Sequence, residues 1–255
     1  MSIKIENIQT MGWEGALRGM RNPLNSWDKA DSAYASDIER TDTNIAAYGT
    51  KLDRYDFVVG QNDLALCLKL IKAGSEHRKF LRMIHVQMDI TAPLYWWKEF
   101  DTYKVATVTN SCSTMHKIAE KEFDLDDFSC EHLLQSSSIQ VELYSALVCS
   151  PTCGGKPQWT PMMHLLSTIA ALNYYRKKYI EDKNKQNWWQ MIQLLPTSYN
   201  QRRTIDMSME TALNILHQRS HHKLDEWIEL CDAMLKEIPY CQEFYNAMKG
   251  EPNGN

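Results

Sequence analysis

The sequence predicts a helix-rich α+β, or mixed α/β, domain with few strands. Three observations carry this: apolar residues return at helical spacing in most segments beyond Asn62, strict alternation is confined to one stretch near residues 82–90, and β-branched residues cluster at 105–109. With 255 residues, 44% of them hydrophobic, the chain can bury a real core. The expected organisation is a single domain over 1–255, with an irregular N-terminal cap at 1–55 and the core at 60–250.

Residues 1–55 are polar and weakly periodic, and NPLNSWDKADS reads as turns, so this part is expected to be irregular with at most a short helix. From Asn62 the pattern sharpens. Leu64, Cys67, Leu68 and Ile71 fall on one helical face, Asn62 offers a cap and Gly74 a stop. Between Arg82 and Ile90, residues Ile84, Val86, Met88 and Ile90 alternate with His85, Gln87 and Asp89, which predicts a strand with one buried face.

Pro93 suits the first turn of a helix capped by Thr91 or Ala92, with Trp96, Phe100 and Tyr103 on one aromatic face. Such a stripe either stacks on a ligand ring or fills a core. Val105, Thr107, Val108 and Thr109 then favour extended backbone. Thr160-Pro161 opens a long helix with Met162, Leu165, Leu166, Ile169 and Leu172, and NWWQMIQLLP, 187–196, forms another that Pro196 stops. A helix around Met209, Leu213 and Leu216 follows, and a further one carries Leu224, Trp227, Ile228, Cys231, Met234, Leu235 and Ile238.

A formal charge of -4 excludes a broad electrostatic track for duplex nucleic acid. The local exception, HQRSHHK at 217–223, reads either as a holder of one phosphate or as a solvated helix end. No apolar run reaches the roughly 18–20 residues that cross a bilayer, and MSIKIENIQT lacks the layout of a signal peptide, so a cytoplasmic location away from membranes is expected. Seven cysteines in such a chain are expected to be thiols. The pair Cys149 and Cys153 has no second pair at zinc-ligand spacing, so no metal is expected.

Two segments keep the spacing of a known family. Ala92-Pro93 opens a helix, Lys98-Glu99-Phe100 and Thr102-Tyr103-Lys104 follow at fixed distances, and Cys112 ends the segment. The second runs from Leu195-Pro196 through Asn214 to Arg219, with Glu226-Trp227 just beyond and Ser75-Glu76-His77 upstream of the first. In this spacing the chain resembles the flavin-dependent thymidylate synthases. The resemblance implies a helix-rich subunit around a small mixed β-sheet and a homotetramer with FAD sites between chains. It also implies methylation of deoxyuridylate, with methylenetetrahydrofolate as carbon source and NADPH as reductant. It assigns His77, Tyr103, Lys104 and Asn214 to the flavin and Glu99, Asn110, Cys112 and Arg219 to the pyrimidine nucleotide, with Cys112 the candidate catalytic residue.

Departures from the family bear on the chemistry. Where it has Arg-His-Arg, this chain leaves only Lys104 cationic, and Thr114, Glu210 and Glu99 stand where it has arginine, arginine and glutamine. Arginine grips phosphate through a planar fork that lysine lacks. Either the ligand differs, or Arg202, Arg203, Lys223 or a neighbouring subunit supplies the missing charge. Cys112 reads either as a thiolate competent to attack C6 of a uracil ring or as a small residue packed under its loop. Asn214 and Arg219 read, apart from the resemblance, as surface groups. Three functions therefore stand: a divergent flavin-dependent methyltransferase, a non-catalytic nucleotide-binding or interaction protein on the same fold, and a nucleotide-modifying enzyme with a changed cofactor.

Overall fold

The computed structural model describes residues 3–135 and 160–249. Cys149 and Cys153 lie outside them. Four strands form the main sheet in the order β1-β4-β6-β5: β1 is Lys4–Met11, β4 His85–Pro93, β5 Thr107–Ser111 and β6 Asn200–Ser208. Each neighbouring pair is antiparallel, so this sheet is antiparallel rather than mixed. A small second sheet pairs β2 (Ala33–Tyr34) with β3 (Phe57–Val58).

The helices are α1 (Trp13–Arg21), α2 (Asp42–Tyr48), α3 (Lys51–Arg54), α4 (Gln61–Lys72), α5 (Leu94–Phe100) and α6 (Thr114–Lys117). Beyond residue 159 come α7 (Pro161–Asp182), α8 (Lys185–Leu194), α9 (Met209–Arg219), α10 (Asp225–Glu237) and α11 (Cys241–Met248). The helix-rich α/β class is as expected. No helix among the described residues is long and apolar enough to cross a membrane.

The sheet has one apolar and one polar face because alternate residues point to opposite sides. Val86, Met88, Ile90, Ile205 and Met207 are buried beneath α5, α9, α10 and α11, where Trp96, Trp97, Phe100 and Trp227 join them in one core. A second core gathers Ile118, Phe123, Phe128, Leu165, Ile169, Leu172 and Met191, mostly from α7, α8 and the loop after α6.

The expectation of an irregular segment at 1–55 is corrected. β1 forms an edge of the main sheet, and Trp13, Ala16, Leu17 and Met20 of α1 enter the core. The strand is hard to read because its register shifts between Glu6 and Gln9, with Asn7 at φ 54, so the alternation of Ile5 breaks before Ile8.

Boundaries shifted as well. Arg82 ends a 3-10 turn, and Thr91 and Ala92 stay in β4 instead of capping α5. Gly60, not Asn62, is the N-cap of α4; the carboxylate of Asp31 accepts from the amides of Asn62 at 2.8 Å and Asp63 at 3.0 Å, a cap supplied from a distant loop. The seam of the fold is a buried ion pair in which Arg21 Nε donates to Asp63 Oδ1 at 2.6 Å.

Candidate functional site

Helix α5 buries Trp96, Trp97 and Phe100, which leaves Tyr95 and Glu99, one turn apart, facing the start of α10. The aromatic stripe is core at Trp96 and Phe100, both 0% exposed, and departs from it at Tyr103. There the helix has already ended at Phe100 and the chain turns. Tyr103 consequently reaches α9, its hydroxyl donating to Gln218 Oε1 at 2.9 Å and accepting from Arg219 Nε at 2.9 Å.

Arg219 lies at the last turn of α9, 4.8 Å over the Trp227 ring and 5.7 Å from the Tyr103 ring centroid. Glu99 closes the group. Its Oε2 lies 3.4 Å from Arg219 Nη1 and 3.6 Å from His222 Nε2, and accepts from Trp227 Nε1 at 3.0 Å. The guanidinium is thus held by a phenol, a carboxylate and an indole face, while the side chains of Arg219 and Glu99 remain 21% and 38% exposed. Among the described residues Arg219 Nη2 and Glu99 Oε1 have no partner. Each of these two paired side chains therefore keeps one polar atom outside the contacts within the cluster.

Glu210 and Arg219 project to opposite sides of α9. Glu210 is taken by Arg82 Nε at 2.5 Å and Arg78 Nε at 3.3 Å. Asn214 follows one turn after Glu210 and has no side-chain bond among the described residues. Lys104 and Tyr103 line a hollow of about 160 Å³ with Phe100, Asp101, Thr107 and Thr109. His77 lies elsewhere, on the rim of a cavity of about 1160 Å³ floored by Met20, Leu66, Leu70 and Phe80.

Of the four positions expected at a flavin, Tyr103 and Lys104 thus share one hollow, while His77 lines another cavity. The hollow at Tyr103 and Lys104, about 160 Å³, is smaller than the roughly 300 Å³ at which small-molecule sites begin.

Asn110 and Cys112 are also separated from Glu99 and Arg219. Asn110 pairs with Thr204, and the amide of Cys112 donates to Arg202 O at 3.0 Å, which continues the register on the polar face of the sheet, opposite the helices. The expected meeting of Cys112 and Arg219 at one cavity does not occur within a chain. Cys112 is exposed, against the packed alternative. Of the cations expected to compensate lost arginines, Arg202 is taken by Asp89 at 2.8 Å and Arg203 by Asp101 at 2.7 Å, whereas Lys223 has no partner among the described residues. Among the described residues no group of side chains fits a metal ion.

On the polar face Asp89 accepts from Thr204 Oγ1 at 2.5 Å, Arg202 Nη2 at 2.8 Å and Asn7 Nδ2 at 2.8 Å, which together lower its pKa to about 2. Its folded value lies below the ordinary one of about 4, so its stabilisation is complete above that pH and is lost as pH falls from about 4 to about 2. In urea titrations across that window, the stability difference between wild type and Asp89→Asn is expected to shrink as pH falls. A difference that stays constant would contradict this.

Sequence reading did not pair Glu99 with Arg219 or Glu210 with Arg78 and Arg82, because partners more than 100 residues apart leave no local signal. It missed β6, where Arg202, Thr204 and Asp206 alternate with Arg203, Ile205 and Met207.

No family model matches the chain. No curated protein matches it either. Among solved structures it is similar to thymidylate synthase X from Helicobacter pylori with FAD and dUMP, at a TM-score of 0.59 and 16% identity over 97% of this chain and 99% of that one. A second structure of the flavin-dependent enzyme from the same organism, complexed with FAD and dUMP, gives a TM-score of 0.56 and 16% identity over 98% of each chain. At such identity the likeness is one of architecture: this chain has the fold of a flavin-dependent thymidylate synthase.

Proposed function

We propose that the chain binds a pyrimidine nucleoside or nucleotide at the Arg219 cluster, as a divergent thymidylate-synthase-like protein. The observation that carries this reading is the held guanidinium: Arg219, fixed by Tyr103, Glu99 and Trp227, is partly exposed, and its Nη2 has no partner among the described residues. Orientation before binding reduces the side-chain entropy lost on association. Support also comes from the fold, since the similar structures are complexes with FAD and dUMP.

Methylation belongs to the same proposal at one remove. The proposed site is completed by a second copy, in a homotetramer that brings Asn110 and Cys112 of one subunit toward Arg219 of another and gathers His77, Tyr103, Lys104 and Asn214 for FAD. Methylenetetrahydrofolate and NADPH would then be co-substrates. The pairing of Glu99 with Arg219 and of Glu210 with Arg78 and Arg82 favours a second reading, a binding protein without turnover, because these guanidinium groups already have carboxylate partners within the chain.

A thermal-shift panel of pyrimidine and purine deoxynucleosides and their monophosphates, with and without FAD, tests the proposal. Pyrimidines at about 100 times their Kd are expected to stabilise the chain by roughly 2.7 kcal/mol, with purines inert. Equal responses to both, or none, would remove the reading. FAD retention with turnover separates the enzyme from the binding protein.

A further inference from the structure

Glu99 is the side chain on which the cluster closes. All of its contacts fall on one oxygen: Arg219 Nη1 at 3.4 Å, Trp227 Nε1 at 3.0 Å and His222 Nε2 at 3.6 Å converge on Oε2. Trp227 is fully buried, so the indole fixes the carboxylate from behind while 38% of the Glu99 side chain stays exposed. The charge on Arg219 is therefore compensated before any ligand arrives.

Resting on the proposed pyrimidine site, we infer that Glu99 sets the charge of the ligand: the site takes an uncharged nucleoside in preference to its 5′-monophosphate. A phosphomonoester at neutral pH is mostly a dianion and offers acceptor oxygens without donors. Placed on the free edge of Arg219 it would share that guanidinium with a fixed carboxylate, and like charges brought together in a partly buried site oppose binding. A sugar hydroxyl behaves in the opposite way. It can accept from a guanidinium and donate to a carboxylate, and it places no second negative charge beside Glu99. On the other side of α9 a carboxylate likewise faces guanidinium groups, Glu210 against Arg78 and Arg82.

Calorimetric titration of the full chain with deoxyuridine and with deoxyuridine 5′-monophosphate, for wild type and Glu99→Gln, tests the inference. Wild type is expected to bind the nucleoside about tenfold or more tightly than the monophosphate, and Glu99→Gln, which keeps shape and loses charge, to shift that ratio toward the monophosphate by about tenfold. A wild type that prefers the monophosphate, or a ratio unmoved by Glu99→Gln, overturns it while leaving the pyrimidine site intact. Binding of neither compound to either protein removes the site itself and the inference with it. If Glu99→Gln does not fold, the wild-type ratio alone decides.

Discussion

Asp63→Ala is expected to cost about 3–5 kcal/mol of stability, the penalty for stranding a buried charge. Asp63 is 0% and Arg21 4% exposed, and their bond is 2.6 Å. The carboxylate does more than pair. Its second oxygen accepts from Ser32 Oγ at 2.5 Å and from the amides of Asp31 and Ser32 at 3.1 Å each, while Arg21 also donates to the carbonyls of Ser26 at 3.1 Å and Lys29 at 2.9 Å. Two loops are thereby tied to α4, and Asp31 is positioned to cap it. With alanine at 63, a buried guanidinium and the part-buried hydroxyl and amides at Asp31 and Ser32 lose their acceptor. A fall in thermal midpoint of roughly 10 °C is expected for a chain of this size. Urea denaturation beside Asp53→Ala provides the control, because Asp53 pairs with Arg40 at the surface and its loss is worth about 0.5 kcal/mol or less. Equal effects from the two variants would contradict the assignment.

The second large effect belongs to Trp227. Its ring is fully buried, 4.7 Å from Trp96, 5.8 Å from Tyr103 and 6.1 Å from Phe100 between centroids, so Trp227→Ala is expected to cost about 3–5 kcal/mol. It would also release Glu99, whose carboxylate the indole N–H fixes, and remove the ring face over which Arg219 lies. Trp227→Phe separates these roles. It keeps most of the packing and loses the hydrogen bond, worth about 1.5–3 kcal/mol because the acceptor is charged. Chemical denaturation of both variants measures the two parts. A Trp227→Phe variant as unstable as Trp227→Ala would show that the hydrogen bond, not packing, dominates.

Where periodicity was clean, the sequence was legible. The alternation from Ile84 to Ile90 matched a strand buried on one side, and the helices around Leu213 and Trp227 emerged where their apolar spacing placed them. β1 was obscured by its bulge. β6 was obscured by its charge: four strongly polar residues, Gln201 to Thr204, precede Ile205, yet Arg203 lies on the apolar face because its guanidinium stacks 4.3 Å over Trp97 and bonds Asp101.

At the site, the family resemblance pointed to Glu99 and Arg219 for the nucleotide and to Tyr103 for the flavin, and the fold places these three side chains in contact. Spacing alone could not show that the carboxylate at 99 would face the guanidinium at 219, since that contact depends on how α5, α9 and α10 pack. Nor could it show that Asn110 and Cys112 lie across the sheet, because the face of β5 is set by its pairing with β6.

Arg219 is the proposed anchor of the pyrimidine site. Titrating deoxyuridine into wild type and into Arg219→Lys, which keeps the charge and loses the planar fork, tests it most directly. Saturable binding to wild type that weakens by about tenfold or more in the lysine variant is predicted; equal affinity in the two proteins, with both folded, would contradict it.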